Sequence, residues 1–282
     1  MTVHAAYQNL LSALRARHSE GESKSIVRIV FEDAFSVYNF RREDSLTESQ
    51  VAHFEGIKTR LINGEPVQYI LGQADFYGLQ LEVNPSVLIP RPETEELVFW
   101  IEETIKDHPH LRKILDIGTG SGCIPLALKK RLPHLQIHAL EISEAALQVA
   151  RRNAEKYSLE IEFFRADILD KNAQKDFGMY DLIVSNPPYI PLREKGLMPV
   201  QVLEHEPHLA LFTTDANPLI FYCTIGDFAR EHLRPGGRLF FECNEFNAEE
   251  VRDLSESAGF SETEIRRDMQ GKDRMVRARN FR

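Results

Sequence analysis

The chain has 282 residues, of which 43% are hydrophobic and 27% charged, and its formal net charge is −9. The length suits one large domain plus a smaller one, and the composition is that of an ordinary globular protein. We find no apolar run near the roughly 18 residues that span a bilayer and no secretory signal. The acidic balance makes duplex nucleic acid an unfavoured partner. The three cysteines, Cys123, Cys223 and Cys243, are widely spaced. They predict a reducing cytoplasm, with no disulfide framework and no metal site.

Residues 1–74 carry helical patterns throughout and predict a small helical domain. An amphipathic helix starts at Val3, and a second has Val27 and Phe31 on one face. A third helix is predicted to begin at Thr47, because Gln50 three residues later completes a capping box. It is predicted to end at Asn63-Gly64.

Residues 75–92 change in character and predict a β-hairpin linker. Apolar residues alternate with polar ones over 79–83, and a second apolar run follows at 87–89. Asn84-Pro85 between them is typical of a turn, so we expect these two runs to form the strands.

Residues 93–282 alternate between strand and helix patterns and predict a parallel α/β sheet with helices on both faces. The last two strands have no helix between them, which favours an antiparallel hairpin. Ligands of such sheets bind outside the carboxyl ends of the strands. The strands are expected near 113–117, 136–140, 161–165, 180–185, 238–242, 262–267 and 274–279.

A glycine-rich loop follows the first of these strands. Its spacing is G-x-G-x-G, whereas the dinucleotide fingerprint is G-x-G-x-x-G, and the preceding Asp116 would repel a pyrophosphate. The loop instead suits a ligand with an ammonium group and a sulfonium, such as S-adenosylmethionine. The loop residues expected to hold this cofactor are Gly118, Thr119, Gly120, Ser121 and Gly122.

The next two strands end in further acids. Glu141 can accept both hydrogen bonds of a ribose diol. Asp167 can accept from an adenine amino group while Ile168 packs on the ring. Each acid taken singly could equally be a helix cap or a solvated charge. Their position at successive strand ends beside the glycine loop favours the cofactor.

The segment Ser185-Asn186-Pro187-Pro188-Tyr189-Ile190 follows the fourth strand. Two prolines stop the strand and supply no N–H donors. The Asn186 side chain and the outward carbonyls offer acceptors, and Tyr189 offers a flat face. This arrangement suits a planar group that bears an NH2, such as a carboxamide or a nucleobase amino group.

With these loops placed, the sequence resembles the PrmC/HemK family of class I S-adenosylmethionine-dependent methyltransferases. The resemblance covers nearly the whole chain, and it is carried by the segments 64–72, 89–95, 116–123, 186–190 and 206–211. It implies a Rossmann-like seven-stranded sheet. It also implies methylation of the side-chain nitrogen (N5) of the glutamine in the Gly-Gly-Gln motif of release factors. The family commonly has Asp where this chain has Glu141, and a glycine where the chain continues Cys243-Asn244-Glu245-Phe246.

The resemblance and the loop chemistry together give the expected site. The residues assigned to catalysis are Asn186, Pro187 and Tyr189; those assigned to substrate binding add Pro188, and Asn186 is also expected to contact the cofactor. We expect domains at 1–74 for partner binding, 75–92 as linker and 93–282 for catalysis.

Alternatives from the same residues remain open. A ribosomal-protein glutamine, or the amino group of adenine in nucleic acid, could bind to the same acceptors of the 185–190 segment. An NAD-dependent oxidoreductase is disfavoured by the glycine spacing. A module that binds the cofactor without catalysis is disfavoured by Asn186 and Tyr189. Arg91 could either close over a ligand or have a structural role. Glu206-Pro207-His208 is expected to line the entrance of the substrate site.

Overall fold

A computed structural model describes residues 1–40 and 44–281. Residues 41–43 and 282, which the predicted domains include, lie outside this described part. The chain forms two compact units, one made of residues 1–73 with 199–205 and the other of residues 74–198 with 206–282. The assignment of 199–205 to the first unit has no counterpart in the sequence patterns.

The α-helices are α1 (Val3–Leu14), α2 (Glu20–Ile29), α3 (Glu48–Ile62), α4 (Val67–Leu71), α5 (Pro92–Asp107), α6 (Cys123–Arg131), α7 (Glu144–Tyr157), α8 (Val200–His205), α9 (His208–Leu211), α10 (Ile220–His232) and α11 (Ala248–Ser257). A π-helical turn spans Val30–Ala34, and 3₁₀ turns span Ala173–Asp176 and Leu192–Leu197. The strands are β1 (Gln73–Phe76), β2 (Leu79–Glu82), β3 (Lys113–Ile117), β4 (Gln136–Glu141), β5 (Glu162–Arg165), β6 (Tyr180–Ser185), β7 (Ile190–Pro191), β8 (Phe212–Thr213), β9 (Leu233–Glu242), β10 (Ser261–Arg267) and β11 (Asp273–Arg279).

The helical unit is built around one apolar cluster to which α1, α2 and α3 all contribute. The capping box predicted at the start of α3 is confirmed, because the Gln50 N–H donates to Thr47 Oγ1 and the Thr47 N–H donates to Gln50 Oε1. The predicted second helix is interrupted, since α2 ends at Ile29 and a π-helical turn carries Phe31 into the core.

The β-hairpin is present, but the expected pairing of 79–83 with 87–89 is wrong. The strands are β1 and β2, joined by Tyr77-Gly78. Both turn residues have positive φ, 48° for Tyr77 and 76° for Gly78. Such a two-residue turn matches the twist of paired strands, which explains why it closes the hairpin. A tyrosine with positive φ is uncommon, so Tyr77 is not recognisable from the sequence as a turn residue.

The described part of the second unit holds a seven-stranded sheet with the order β10-β11-β9-β6-β3-β4-β5. Strands β9, β6, β3, β4 and β5 are parallel, and β10 and β11 are antiparallel, as predicted. Successive residues alternate between two apolar clusters: Ile114 faces one with α5 and α6, and Leu115 faces the other with α10 and α11. The sheet is therefore covered on both faces.

Strand order reverses between β3 and β6, because the chain runs from β3 outward to β5 and then returns to the other side of β3. Open α/β sheets bind ligands at such a switch point, outside the carboxyl ends of the strands. The glycine loop after β3 and the Asn-Pro-Pro segment after β6 meet there. In residues 1–40 and 44–281, no helix is long and apolar enough to cross a membrane.

Candidate active site

A cavity of about 540 Å³ lies at the switch point. This volume falls within the range of about 300–1,000 Å³ that is typical of small-molecule sites. Its wall combines loops that follow four parallel strands with two further segments of the same unit and with Phe221 and Ile225 of α10. These lining segments are 86–88, 90–91 and Thr94, 117–121, 140–143, 166–169, 185–188 and 207–210.

The glycine loop leaves open space for a ligand. Gly118 and Gly120 have φ of 78° and 55°, and no atom lies within 4 Å of a Cβ built on either. The Gly118 and Thr119 N–H groups both donate to the Leu140 carbonyl, which ties the loop to the end of β4. The loop therefore offers bare backbone to the cavity, as the glycine spacing predicted.

Gly122 serves the scaffold rather than the cavity wall. It precedes α6 with φ 81°, and a Cβ there would lie 3.0 Å from Leu126 Cδ1 and 3.3 Å from Ala150 Cβ. The absence of a side chain allows α6 to begin here and to pack closely on α7. Its predicted direct contact with the cofactor stays a prediction.

Replacing Gly122 with Ala is expected to lower the free energy of unfolding by about 1–3 kcal/mol. The backbone here is in the left-handed region, and the added Cβ would press on packed neighbours. Gly56, exposed within α3 with nothing near its Cβ, provides the matched control. Gly56→Ala should stabilise the protein by up to about 1 kcal/mol. Urea unfolding of both variants gives the comparison; equal effects of the two substitutions would contradict the packing role.

Asp116 is the most unusual polar residue beside the cavity. It is 1% exposed, and neither carboxylate oxygen has a hydrogen-bond partner among the described residues. The hydroxyls of Thr119 and Ser121 are likewise buried and unpaired. Burial raises the pKa of Asp116 to about 7; the nearby Thr119 hydroxyl, which does not reach normal hydrogen-bond geometry, lowers it slightly, and the Glu141 carboxylate raises it further. Buried polar groups without partners destabilise a fold, so this cluster favours a ligand that supplies donors and positive charge.

Glu141 and the segment after β5 line the same cavity. The Glu141 carboxylate accepts from the Gly120 N–H at 3.1 Å and from the Ser143 N–H at 3.0 Å. Each oxygen retains acceptor capacity for a diol. Asp167 Oδ1 accepts from the Leu169 N–H at 2.9 Å, and Ile168 adds a buried apolar side chain. The structure thus brings Glu141 and Asp167 to one wall of the cavity, while Asp116 is buried in β3 directly before the glycine loop.

The segment after β6 presents Asn186, Pro187 and Pro188 to the cavity. The end of β6 is fixed because Ser185 Oγ donates to the Ile117 carbonyl at 2.7 Å. Asn186 Nδ2 donates to Thr94 Oγ1 at 3.3 Å. This hydrogen bond to Thr94 holds the nitrogen end of the Asn186 amide.

The Asn186–Thr94 contact continues to a buried acid. Thr94 Oγ1 donates to Glu242 Oε2 at 2.7 Å, and Glu242 is 2% exposed at the end of β9. Burial raises the pKa of Glu242 to about 7, although Thr94 and Arg274 favour its ionised form. Neither Thr94 nor Glu242 was a predicted site residue. The 89–95 motif contained Thr94, but its partner lies 148 positions away.

Tyr189 lies elsewhere than expected. In the described chain the cavity wall does not include it, and its half-buried ring packs against the apolar cluster beneath β6. Burial raises the pKa of the Tyr189 hydroxyl well above its usual value. Stacking of this ring on a substrate amide stays a prediction.

Arg91 and Glu206 join the two outer segments of the wall. The Arg91 guanidinium pairs with the buried Glu206 carboxylate, and the Ile89 N–H donates to Glu206 Oε2 at 3.2 Å. Arg91, Pro207 and His208 all line the cavity. Arg91 thus has a structural partner and a cavity-facing position at once.

A second concavity lies where β3, β4 and β5 begin, at the opposite edge of the sheet. It is wider and open, with residues such as Lys113, His138 and Glu162 along it. None of its lining residues carries a buried polar atom without a partner in the part of the chain described. Across that same part, no group of His, Cys, Asp and Glu side chains is arranged to hold a metal ion.

Comparison with known proteins places this cavity in a family context. A model described as the PrmC N-terminal domain matches residues 5–72, and one described as the Methyltransferase small domain matches residues 99–217. A release factor glutamine methyltransferase from Bacteroides thetaiotaomicron is 43% identical over 246 residues, 87% of each chain. One from Flavobacterium psychrophilum is 40% identical over 282 residues, 96% of each chain. The crystal structure of a methyltransferase from Pyrococcus furiosus shares the fold, with TM-score 0.53 at 18% identity over 81% of this chain and 100% of that one.

Proposed function

This chain belongs to the release factor glutamine methyltransferase family, and on that premise we propose that it methylates release factors. The methyl group comes from S-adenosylmethionine, and the acceptor is the side-chain amide nitrogen of the glutamine in their Gly-Gly-Gln motif. The proposal is supported by Asn186, whose amide is fixed at the cavity wall, and by the unpaired, buried Asp116 carboxylate next to the glycine loop. A neutral amide acceptor fits the first feature, and a methyl donor with positive charge fits the second.

The residues of the cavity fit the cofactor. Asp116 would hold its ammonium group, Glu141 its ribose hydroxyls, and Asp167 with Ile168 its adenine, while Gly118 and Gly120 allow close approach. S-adenosylmethionine supplies, when bound, a methyl group already activated on a sulfonium. No acid or base of the chain is then needed to activate the donor.

The acceptor nitrogen requires positioning more than it requires a base. A carboxamide lone pair is delocalised into the carbonyl, and the free amide hardly deprotonates near neutral pH. Asn186 Oδ1 and the Pro187 carbonyl would accept its two N–H bonds and hold its face toward the cavity interior. The same acceptors would stabilise the positive charge that develops on nitrogen. Alignment of this kind is worth up to about 7–11 kcal/mol of barrier.

The helical unit is proposed to recognise the protein substrate. A loop that carries one glutamine offers little area, whereas specific protein interfaces bury about 800 Å² on each partner. This proposal covers residues 1–74, together with a linker at 75–92 and catalysis at 93–282. We place the reaction in the cytoplasm, since the three cysteines are unpaired.

Transfer of a labelled methyl group tests the substrate class. The purified protein is incubated with labelled S-adenosylmethionine and, in parallel, a release factor, its Gly-Gly-Ala variant, ribosomal protein, RNA and DNA. We expect label on the wild-type release factor alone. Label on nucleic acid or ribosomal protein instead would preserve the cofactor assignment and reject the substrate.

A further inference from the structure

A series of hydrogen bonds runs from Asn186 through Thr94, which both line the cavity, to the buried Glu242. We infer that Thr94 and Glu242 are positioning residues that set which end of the Asn186 amide faces the substrate. They act through Asn186, and neither is assigned a contact with the cofactor sulfonium or with the reacting nitrogen. The inference rests on the proposed function, because amide methylation needs Asn186 Oδ1 to face the substrate as an acceptor.

Glu242 determines the direction of the hydrogen bonds in this series. An ionised carboxylate only accepts hydrogen bonds. The single hydroxyl proton of Thr94 is therefore donated to Glu242 Oε2, at 2.7 Å. Thr94 Oγ1 can then only accept from its other neighbour, so the NH2 end of Asn186 must face it, at 3.3 Å. Oδ1 is left pointing away from Thr94 as the acceptor for a substrate N–H.

Protonation of Glu242 removes this fixed direction. A carboxylic acid can donate to Thr94 Oγ1, which frees the threonine hydroxyl to donate to Asn186. The amide is then equally satisfied when reversed, with its NH2 toward the cavity. A reversed Asn186 sets N–H against the N–H of the substrate and offers no acceptor.

The surroundings of Glu242 decide where this change occurs. Burial is the main influence on its pKa and raises it to about 7; Thr94, Arg274 and the Asn186 amide favour the carboxylate, and Glu93 opposes it. Turnover is therefore expected to fall as the pH drops through the pKa of Glu242. The titratable and charged groups that face it are Glu93 on α5, Cys123 on α6, Tyr189 after β6, Tyr222 on α10, Cys243 after β9 and Arg274 on β11.

Kinetics of three variants test the inference, with kcat measured at saturating cofactor across the neutral pH range. Thr94→Val keeps the shape and removes the hydroxyl, and should lower kcat about 10-fold or more, as expected for loss of one orienting hydrogen bond. Thr94→Ser should recover kcat to within about 3-fold of the wild type, because it restores the hydroxyl. Glu242→Gln should abolish the acidic limb of the kcat profile.

A second measurement separates this inference from the choice of substrate. In protein labelled isotopically at asparagine, the Asn186 side-chain resonance should titrate with pH in the wild type and stay constant in Glu242→Gln. This readout needs no substrate, so absence of methyl transfer would reject the proposed function alone. Wild-type kcat in Thr94→Val, no recovery in Thr94→Ser, or an unchanged acidic limb in Glu242→Gln would overturn the positioning role. An Asn186 resonance that titrates equally in both proteins would also overturn it.

Discussion

Replacing Asn186 with Ala lowers kcat for methyl transfer by roughly 10²–10³-fold, the loss typical of removing one polar group that stabilises charge in the transition state. The side chain contributes an acceptor for the substrate N–H, and the Pro187 carbonyl alone cannot hold both hydrogens. Turnover is measured at saturating cofactor, so that any loss of cofactor affinity does not enter the value.

Asn172→Ala is the matched control for this substitution. Asn172 is exposed in the turn after β5 and takes no part in the cavity wall of the described chain. It should leave kcat unchanged. Near wild-type turnover in a folded Asn186→Ala protein would remove this residue from the mechanism.

Replacing Asp116 with Asn stabilises the cofactor-free protein at alkaline pH and weakens cofactor binding. The folded-state pKa, about 7, is raised above the ordinary value of 3.8. The stability linked to this group is therefore fully present below about pH 4 and lost as the pH rises through about 7. Each pKa unit corresponds to about 1.4 kcal/mol, so ionised Asp116 destabilises the fold at about pH 8 by on the order of 4 kcal/mol.

An asparagine recovers part of this energy, since its amide is uncharged yet still buried without partners. We expect the free energy of unfolding at about pH 8 to rise by about 1–2 kcal/mol, and the rise to vanish at about pH 4. Glu242 has a pKa raised in the same direction, so some loss of stability with pH persists in the variant.

Cofactor affinity should fall about 10–100-fold in the same Asp116→Asn variant, the usual contribution of a hydrogen bond to a charged group. Urea unfolding at both pH values and calorimetric titration with S-adenosylmethionine measure the two effects. Asp107→Asn, which removes an exposed charge at the end of α5, is the control and should change neither. A destabilised Asp116→Asn protein with unchanged affinity would contradict the role of Asp116.

The sheet could be predicted from the sequence because its strands are short apolar runs between helices. All seven predicted strands occur, six of them within one residue of their expected bounds, and β9 begins five residues before its expected start. The glycine loop could be predicted equally well, since positive φ at Gly118 and Gly120 needs glycine. The capping box at Thr47 is a local pattern of the same kind. Local chemistry determines each of these features.

Features that depend on distant contacts could not be read in this way. Nothing near Thr94 indicates Glu242, and nothing near Arg91 indicates Glu206, because both pairs form only when the sheet assembles. The direction of Tyr189 depends on how the loop leaves β6, which two prolines constrain but do not specify. The hairpin turn at Tyr77 was not predicted, because positive φ is rare for tyrosine.

Fragmentation mass spectrometry of a release factor, after reaction with this protein and S-adenosylmethionine, locates the transferred methyl group. We predict one added methyl group, located on the glutamine of the Gly-Gly-Gln motif, and none when Asn186→Ala replaces the wild type for the same time. A methyl group located on another residue, or no added mass on a release factor in the presence of folded protein and bound cofactor, would contradict the account.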